Sequence, residues 1–209
     1  MAWPEVTWFY PTEIKAAYYA GTLFREWFNK YPPLSPANLN GHYLFRDKML
    51  KGRDMPHSGP MKGACFFREF YMGMQYLNAG YEAMVYHRRV EDEACFQKAC
   101  ELFGDADGCM DAGDFIVPND EIGGRAPDLI VFKPGTKLFR FVECKGKDEY
   151  FTQPQPKRFT AIEKYLNTSL EPGSKALTDS AHPKLFPVLS EGRWIHVARI
   201  IEEPRAVKD

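Results

Sequence analysis

Two acids and a lysine stand at the ends of short apolar runs. Asp128 opens Leu129-Ile130-Val131-Phe132, and Glu143-Cys144-Lys145-Gly146 closes Phe139-Arg140-Phe141-Val142. A carboxylate at the end of a buried strand needs compensation, because an unpaired buried charge is costly. A divalent cation is the simplest compensation. Carboxylate oxygens are hard ligands of the kind Mg²⁺ and Mn²⁺ take. A lysine beside them can orient or help deprotonate an attacking water, or neutralise a phosphate.

The spacing predicts a geometry. Lys133-Pro134-Gly135-Thr136-Lys137 contains the strongest turn residues between two strand-like runs. A hairpin centred between Gly135 and Thr136 puts Asp128 directly opposite Glu143, roughly 4.5–5.5 Å apart at Cβ. A turn centred on Pro134-Gly135 makes the pair diagonal and still within reach. Alternation puts Lys145 on the face of Glu143 and turns Cys144 away. Ile130, Phe132, Phe139 and Phe141 point to one face, and Leu129, Val131 and Val142 to the other. A hairpin apolar on both faces is expected inside a sheet covered by helices on each side.

Pro127-Asp128 followed by Glu143-Cys144-Lys145 resembles the signature of the PD-(D/E)xK nucleases. Gly124-Arg125-Ala126-Pro127-Asp128-Leu129 is similar to the opening of the VRR-NUC branch of that superfamily. Gln155, ten residues after Lys145, and Phe159 fall where that branch carries a glutamine and a bulky apolar residue. The resemblance covers roughly residues 60–202. It implies a restriction-endonuclease-like α/β core, a mixed central sheet flanked by helices. It implies a Mg²⁺- or Mn²⁺-dependent hydrolysis of phosphodiester bonds in DNA. Asp128, Glu143 and the Cys144 backbone carbonyl would hold the metal, and Gln155 would position water or phosphate. Relatives add a glutamate from the first core helix; Glu69 is the first choice and Glu93 the rival. The branch points to endonucleolytic action on structured or branched DNA. A junction resolvase would need two active sites related by two-fold symmetry, hence a homodimer. Restriction-type or exonuclease activity is the alternative within the enzyme class. An idle nucleic-acid- or protein-binding module is the alternative outside it, and such a module has no need of two opposed acids.

Composition sets the frame. A chain of 209 residues with 44% hydrophobic and 26% charged residues is ordinary for a globular protein of one domain, or of one domain with an elaborated end. The division expected is a helical N-terminal extension, residues 1–60, for DNA grip or dimerisation, and a nuclease domain, residues 61–209. The net charge of −1 gives no global basic footprint. Basic residues gather locally, at Arg46, Lys48, Lys51, Arg53 and Lys62, and around the motif at Lys137, Arg140, Lys147, Lys157, Arg158 and Lys164. No run approaches the roughly 20 apolar residues of a membrane helix, and no export signal is visible. The expected location is therefore cytoplasmic or nucleoid-associated. The five cysteines include no C-x-x-C pair and read as reduced thiols rather than an iron–sulfur site.

The elements expected around the motif follow from pattern. Thr12 caps a helix from Glu13 to about Lys30, stopped by Pro32-Pro33. A second helical stretch opens at Ser35-Pro36, and residues 52–63 form a loop. A helix spans about Gly63 to Asn78, a strand Tyr81 to Arg88, and a helix Val90 to Phe103. Phe115-Ile116-Val117 is a short strand. Thr152 or Gln155 caps a helix to about Asn167, residues 171–189 are irregular, and Trp194 to Ile201 is a final strand. Asp105-Ala106-Asp107-Gly108 fails the calcium-loop spacing, with glycine at the fourth position instead of the sixth. His57, His87, His182 and His196 form no pair at metal-ligand spacing.

Overall fold

The two apolar runs pair as expected. In a computed structural model describing residues 3–30, 67–85, 93–103, 126–168, 173–178, 184–185 and 193–204, they form the centre of a six-stranded mixed sheet. In chain order the elements are β1 (Glu5–Tyr10), α1 (Thr12–Tyr19), α2 (Thr22–Lys30), α3 (Phe67–Asn78), β2 (Glu82–Val85), α4 (Glu93–Phe103), β3 (Leu129–Phe132), β4 (Leu138–Lys145), α5 (Pro154–Thr168), β5 (Lys175–Ala176) and β6 (Ile195–Glu202). The strand order is β1-β6-β4-β3-β2, with β5 pairing the start of β4. Strands β1, β6 and β4 run parallel to one another, while β2-β3 and β3-β4 are antiparallel.

The hairpin register follows from its turn. Gly135 takes φ 71, a conformation that costs glycine nothing, and Thr136 N–H donates to the Lys133 carbonyl at 3.2 Å. Leu129 therefore faces Val142 and Phe132 faces Phe139. One step further along this register, Asp128 falls opposite Glu143.

Each face of the sheet has its own core. Leu129, Val131, Val142, Cys144, Ala198 and Ile200 pack against α1 and α3 through Tyr18, Phe67, Phe70 and Met74. Ile130, Phe132, Phe139, Phe141 and Ile195 pack against α4 and α5 through Leu102, Phe159, Ile162 and Leu166. Full burial of each such side chain is worth about 1.5–3 kcal/mol, so the hairpin is clamped from both sides.

The N-terminal region departs from expectation. It was expected to lie outside the core as a helical extension; instead Glu5–Tyr10 forms the edge strand beside β6, and Tyr10 and Tyr18 are core residues. The expected single helix to Lys30 is two. Gly21, at φ 77, ends α1, its N–H bonding the Tyr18 carbonyl. Thr12 does not cap: its hydroxyl donates to Glu202 at 2.7 Å, and Pro11 holds the cap position. The expected strand after Tyr81 is β2, and β5 interrupts the region expected to be irregular. The helix at Ser35-Pro36, the loop at 52–63, the strand at 115–117, the acidic run at 105–108, Gly124, Arg125, His57, His87 and His182 lie outside the described residues.

Buried charge also sits where alternation alone placed apolar surface. Arg140 is fully buried on the α3 side, and burial lowers its guanidinium to about 10. His196 is buried beside it, its Nε2 2.8 Å from the Tyr76 hydroxyl. That hydroxyl donates onward to the Leu185 carbonyl at 3.3 Å. A neutral imidazole protonated on Nε2 satisfies this chain and leaves Nδ1 a bare lone pair, without a partner. Burial, then the nearby Arg140, pushes His196 down to about 3. Between that value and the ordinary one near 6.5 the unfolded chain binds a proton that the folded chain refuses, so stability is lost as pH falls through this window. In urea titrations from pH 7 to pH 4, the stability gap between wild type and His196→Gln should shrink, at a slope of up to about 1.4 kcal/mol per pH unit. A gap constant with pH would exclude a neutral buried His196.

Candidate active site

The open end of the sheet is where β1, β6 and β4 finish, at Tyr10, Glu202 and Lys145. Because β3 is antiparallel, Asp128 enters at the same end. Crevices outside the carboxyl ends of strands are where open α/β sheets bind ligands.

Four expected residues converge there. Glu143 Oε1 lies 2.7 Å from Lys145 Nζ and accepts from Gln155 Nε2 at 2.8 Å. Gln155 Oε1 in turn accepts from Lys145 Nζ at 3.1 Å and from the Thr152 N–H at 3.0 Å. The amide of Gln155 thus has one workable orientation: its oxygen meets two donors and its nitrogen meets a carboxylate. The Thr152 bond is half of a capping box at the start of α5, so the helix terminus itself aims Gln155 at the strand. Asp128 Oδ2 accepts from the Cys144 N–H at 2.7 Å, which ties the start of β3 to the end of β4. Phe151 lies beside the lysine, its ring centroid 5.5 Å from Nζ, and packs edge-on against Phe159.

The electrostatics are those of a site short of positive charge. Burial, then the carboxylates of Glu143 and Glu69, pushes Asp128 well above the usual carboxylate range, against the Cys144 amide and Lys145. Burial also raises Glu143, opposed by Lys145 and by hydrogen bonds from Lys145 and Gln155. Glu69, at the start of α3, is raised by burial and feels Glu143 as a like charge. Glu143 Oε2 is buried with no hydrogen-bond partner. A bare carboxylate oxygen beside a second carboxylate suits a hard cation. Among the described residues no group of three His, Cys, Asp or Glu side chains is arranged to hold a metal, so Glu69 does not complete a three-acid cluster. Mg²⁺ commonly takes one or two protein carboxylates and fills its remaining positions with water and substrate phosphate. Asp128 and Glu143 fit that pattern. The side chain of Glu93, the rival helix acid, lies outside the described residues.

Cys144 is buried in the opposite core, and burial pushes its thiol well above its ordinary value. It contributes backbone, not a nucleophile. Cys144 is a free thiol.

One part of the site had no sequence signal. The segment after Lys145 is held by two arginines from distant elements. Arg199 Nη1 donates to the carbonyls of Gly146, Lys147 and Glu149 at 2.7, 3.2 and 3.1 Å, while Nε and Nη2 grip Glu5 at 2.6 and 2.9 Å. Arg68 pairs with Glu149 at 2.6 Å, and Glu149 also accepts from the Gly146 N–H at 3.1 Å. A Cβ at position 146 would lie 3.0 Å from the Arg68 guanidinium, which would have to give by a few tenths of an ångström. Nothing in the local text around Arg68 or Arg199 marks these contacts.

No helix among the described residues is long and apolar enough to cross a membrane. Comparison with models of protein families, with curated proteins and with solved structures finds no match to this chain.

Proposed function

We propose that this chain is a metal-dependent deoxyribonuclease built on a restriction-endonuclease-like core. The observation that carries the reading is the convergence of Asp128, Glu143, Lys145 and Gln155 at one end of the sheet, with Glu143 Oε2 left bare. Asp128 and Glu143 would hold Mg²⁺ or Mn²⁺, with the Cys144 carbonyl as the resemblance to the PD-(D/E)xK nucleases implies. When bound, the cation supplies Lewis-acid stabilisation of the charged phosphate and acidifies water.

The chain's own residues do the rest. Lys145 commits two of its three N–H donors to Glu143 and Gln155, which leaves one for a phosphate oxygen or the attacking water. Its ammonium would offset the charge that develops as the phosphodiester is attacked. Gln155 fixes both Glu143 and Lys145 and is a positioning residue for each. The ion pair of Lys145 with Glu143 is almost dry, with 11% and 2% side-chain exposure, so its field is little screened. Structured or branched DNA, acted on internally by a homodimer, is the substrate and assembly that the branch resemblance favours.

The test is cleavage of an end-labelled DNA panel of single strand, duplex, flap, splayed arm and four-way junction, with and without Mn²⁺ or Mg²⁺. Metal-dependent cutting that disappears in Lys145→Ala is the expected result. Absence of cutting on every substrate with either metal would sink the reading and favour an idle binding fold.

A further inference from the structure

A cleft of about 630 Å³ opens beside the candidate active site, at the carboxyl ends of β1 and β6. Its size lies within the roughly 300–1,000 Å³ of small-molecule sites. Its wall is shared with the site, because Glu69 and Gly146 line it. The remaining lining includes four aromatic residues, Phe9, Tyr10, Tyr19 and Phe67, three basic ones, Lys15, Arg68 and Lys147, and the acid Glu202.

Phe9 is the unusual member. It is 52% exposed, although it sits in a paired strand with its carbonyl bonded by the Tyr71 hydroxyl. A phenyl ring held half in water on a paired strand leaves a flat apolar surface that a ligand can cover. Tyr19, half-buried, is braced by Tyr18 and Phe67 at ring distances of 5.8 and 6.4 Å. Flat apolar faces fixed on rigid elements, rimmed by cations, match an unpaired nucleobase and its phosphates. A lipid headgroup would use the cations and leave the ring faces without a matching flat partner.

We propose that this cleft is a nucleotide subsite, in which an unpaired base stacks on Phe9 while Lys15, Arg68 and Lys147 hold the flanking phosphates. The proposal rests on the nuclease reading for its position, since the shared wall would place the bound nucleotide next to the scissile phosphate. It makes single-stranded or splayed segments the preferred substrate class of the site, because a base inside a duplex is not available to stack. Arg68 already pairs with Glu149, so a phosphate entering the cleft would take over a guanidinium that a carboxylate now holds.

The test separates base from phosphate. Anisotropy with the full chain in EDTA compares a labelled thymidine strand of about twelve nucleotides with an abasic strand of equal length and with a hairpin-capped duplex. Wild type should bind the thymidine strand about tenfold tighter than the abasic strand. In Phe9→Ala that preference should fall below about threefold, with abasic binding unchanged, and Phe9→Trp should keep it. Lys15→Ala should weaken both strands alike. No preference for bases in wild type, or a preference that survives in Phe9→Ala, would overturn the subsite. Metal-dependent cleavage is read separately: a Phe9-dependent base preference in a protein that never cuts supports the cleft and removes the nuclease, and the reverse pattern removes the cleft alone.

Discussion

Lys145→Ala should lose metal-dependent cleavage by at least about 10²–10³-fold, the scale of removing one preorganised charge-stabilising group. The same change should cost stability. Stripping one partner from a buried ion pair typically costs about 3–5 kcal/mol. Here the cost should be smaller, about 1–3 kcal/mol. Glu143 is already raised by burial and can take a proton, and Gln155 keeps its bond to the same oxygen. Chemical denaturation followed by cleavage assays at matched folded fraction measures both effects. The double variant Glu143→Gln with Lys145→Met, which removes the charges together, should recover most of the stability and none of the activity. Cleavage by Lys145→Ala within tenfold of wild type would remove Lys145 from the chemistry.

Asp128→Asn should do the opposite to stability while also abolishing cleavage. Asp128 is half-buried and has Glu143 and Glu69 as negative neighbours, and burial first and those charges second raise its carboxyl. A raised carboxyl means that the folded state holds a proton the unfolded chain has already released. Stability contributed by that proton is present below the unfolded value near 3.9 and is lost as pH rises through the folded value. At neutral pH without metal the charge is therefore a net burden. Asparagine keeps an oxygen to accept the Cys144 N–H and removes the charge. The expected gain is on the order of 1 kcal/mol, typical for neutralising a strained functional group, and about 2–4 °C in midpoint for a chain of this size. The gap over wild type should widen as pH rises from 4 to 8. Mn²⁺ should raise the wild-type midpoint by linkage and leave that of Asp128→Asn unmoved. A variant less stable than wild type at pH 8 without metal would show that the Asp128 charge is no burden, and one still stabilised by Mn²⁺ would show that Asp128 is no ligand.

The two variants together distinguish an active nuclease from an idle relative of the same fold. An idle module would tolerate both changes without loss of any metal response. It would also have no reason to keep two acids, Asp128 and Glu143, both raised by burial, beside one lysine.

Local text settled the parts that local physics controls. Pro134-Gly135 and the alternation on either side set the hairpin register, so the opposition of Asp128 and Glu143 was readable. The outward turn of Cys144 and the division of the apolar residues between two faces were readable for the same reason. Thr152 and Gln155 stand at capping-box spacing, which marks the helix start that aims the glutamine at the strand.

Tertiary structure decided what depends on partners far away in the chain. The alternation in Glu5–Tyr10 is compatible with a strand, but its place beside β6 is a parallel pairing with no connecting turn to announce it. Arg140 and His196 occupy positions that alternation assigns to a core, and it is Tyr76, on a distant helix, that meets the buried imidazole. Arg199 reaches Glu5 across 194 residues while holding the carbonyls behind Lys145. Periodicity and turn chemistry act over a few residues. The charge balance of the site and the cleft beside it arise where three parallel strands end together, a juxtaposition created by folding and carried by no single stretch of sequence.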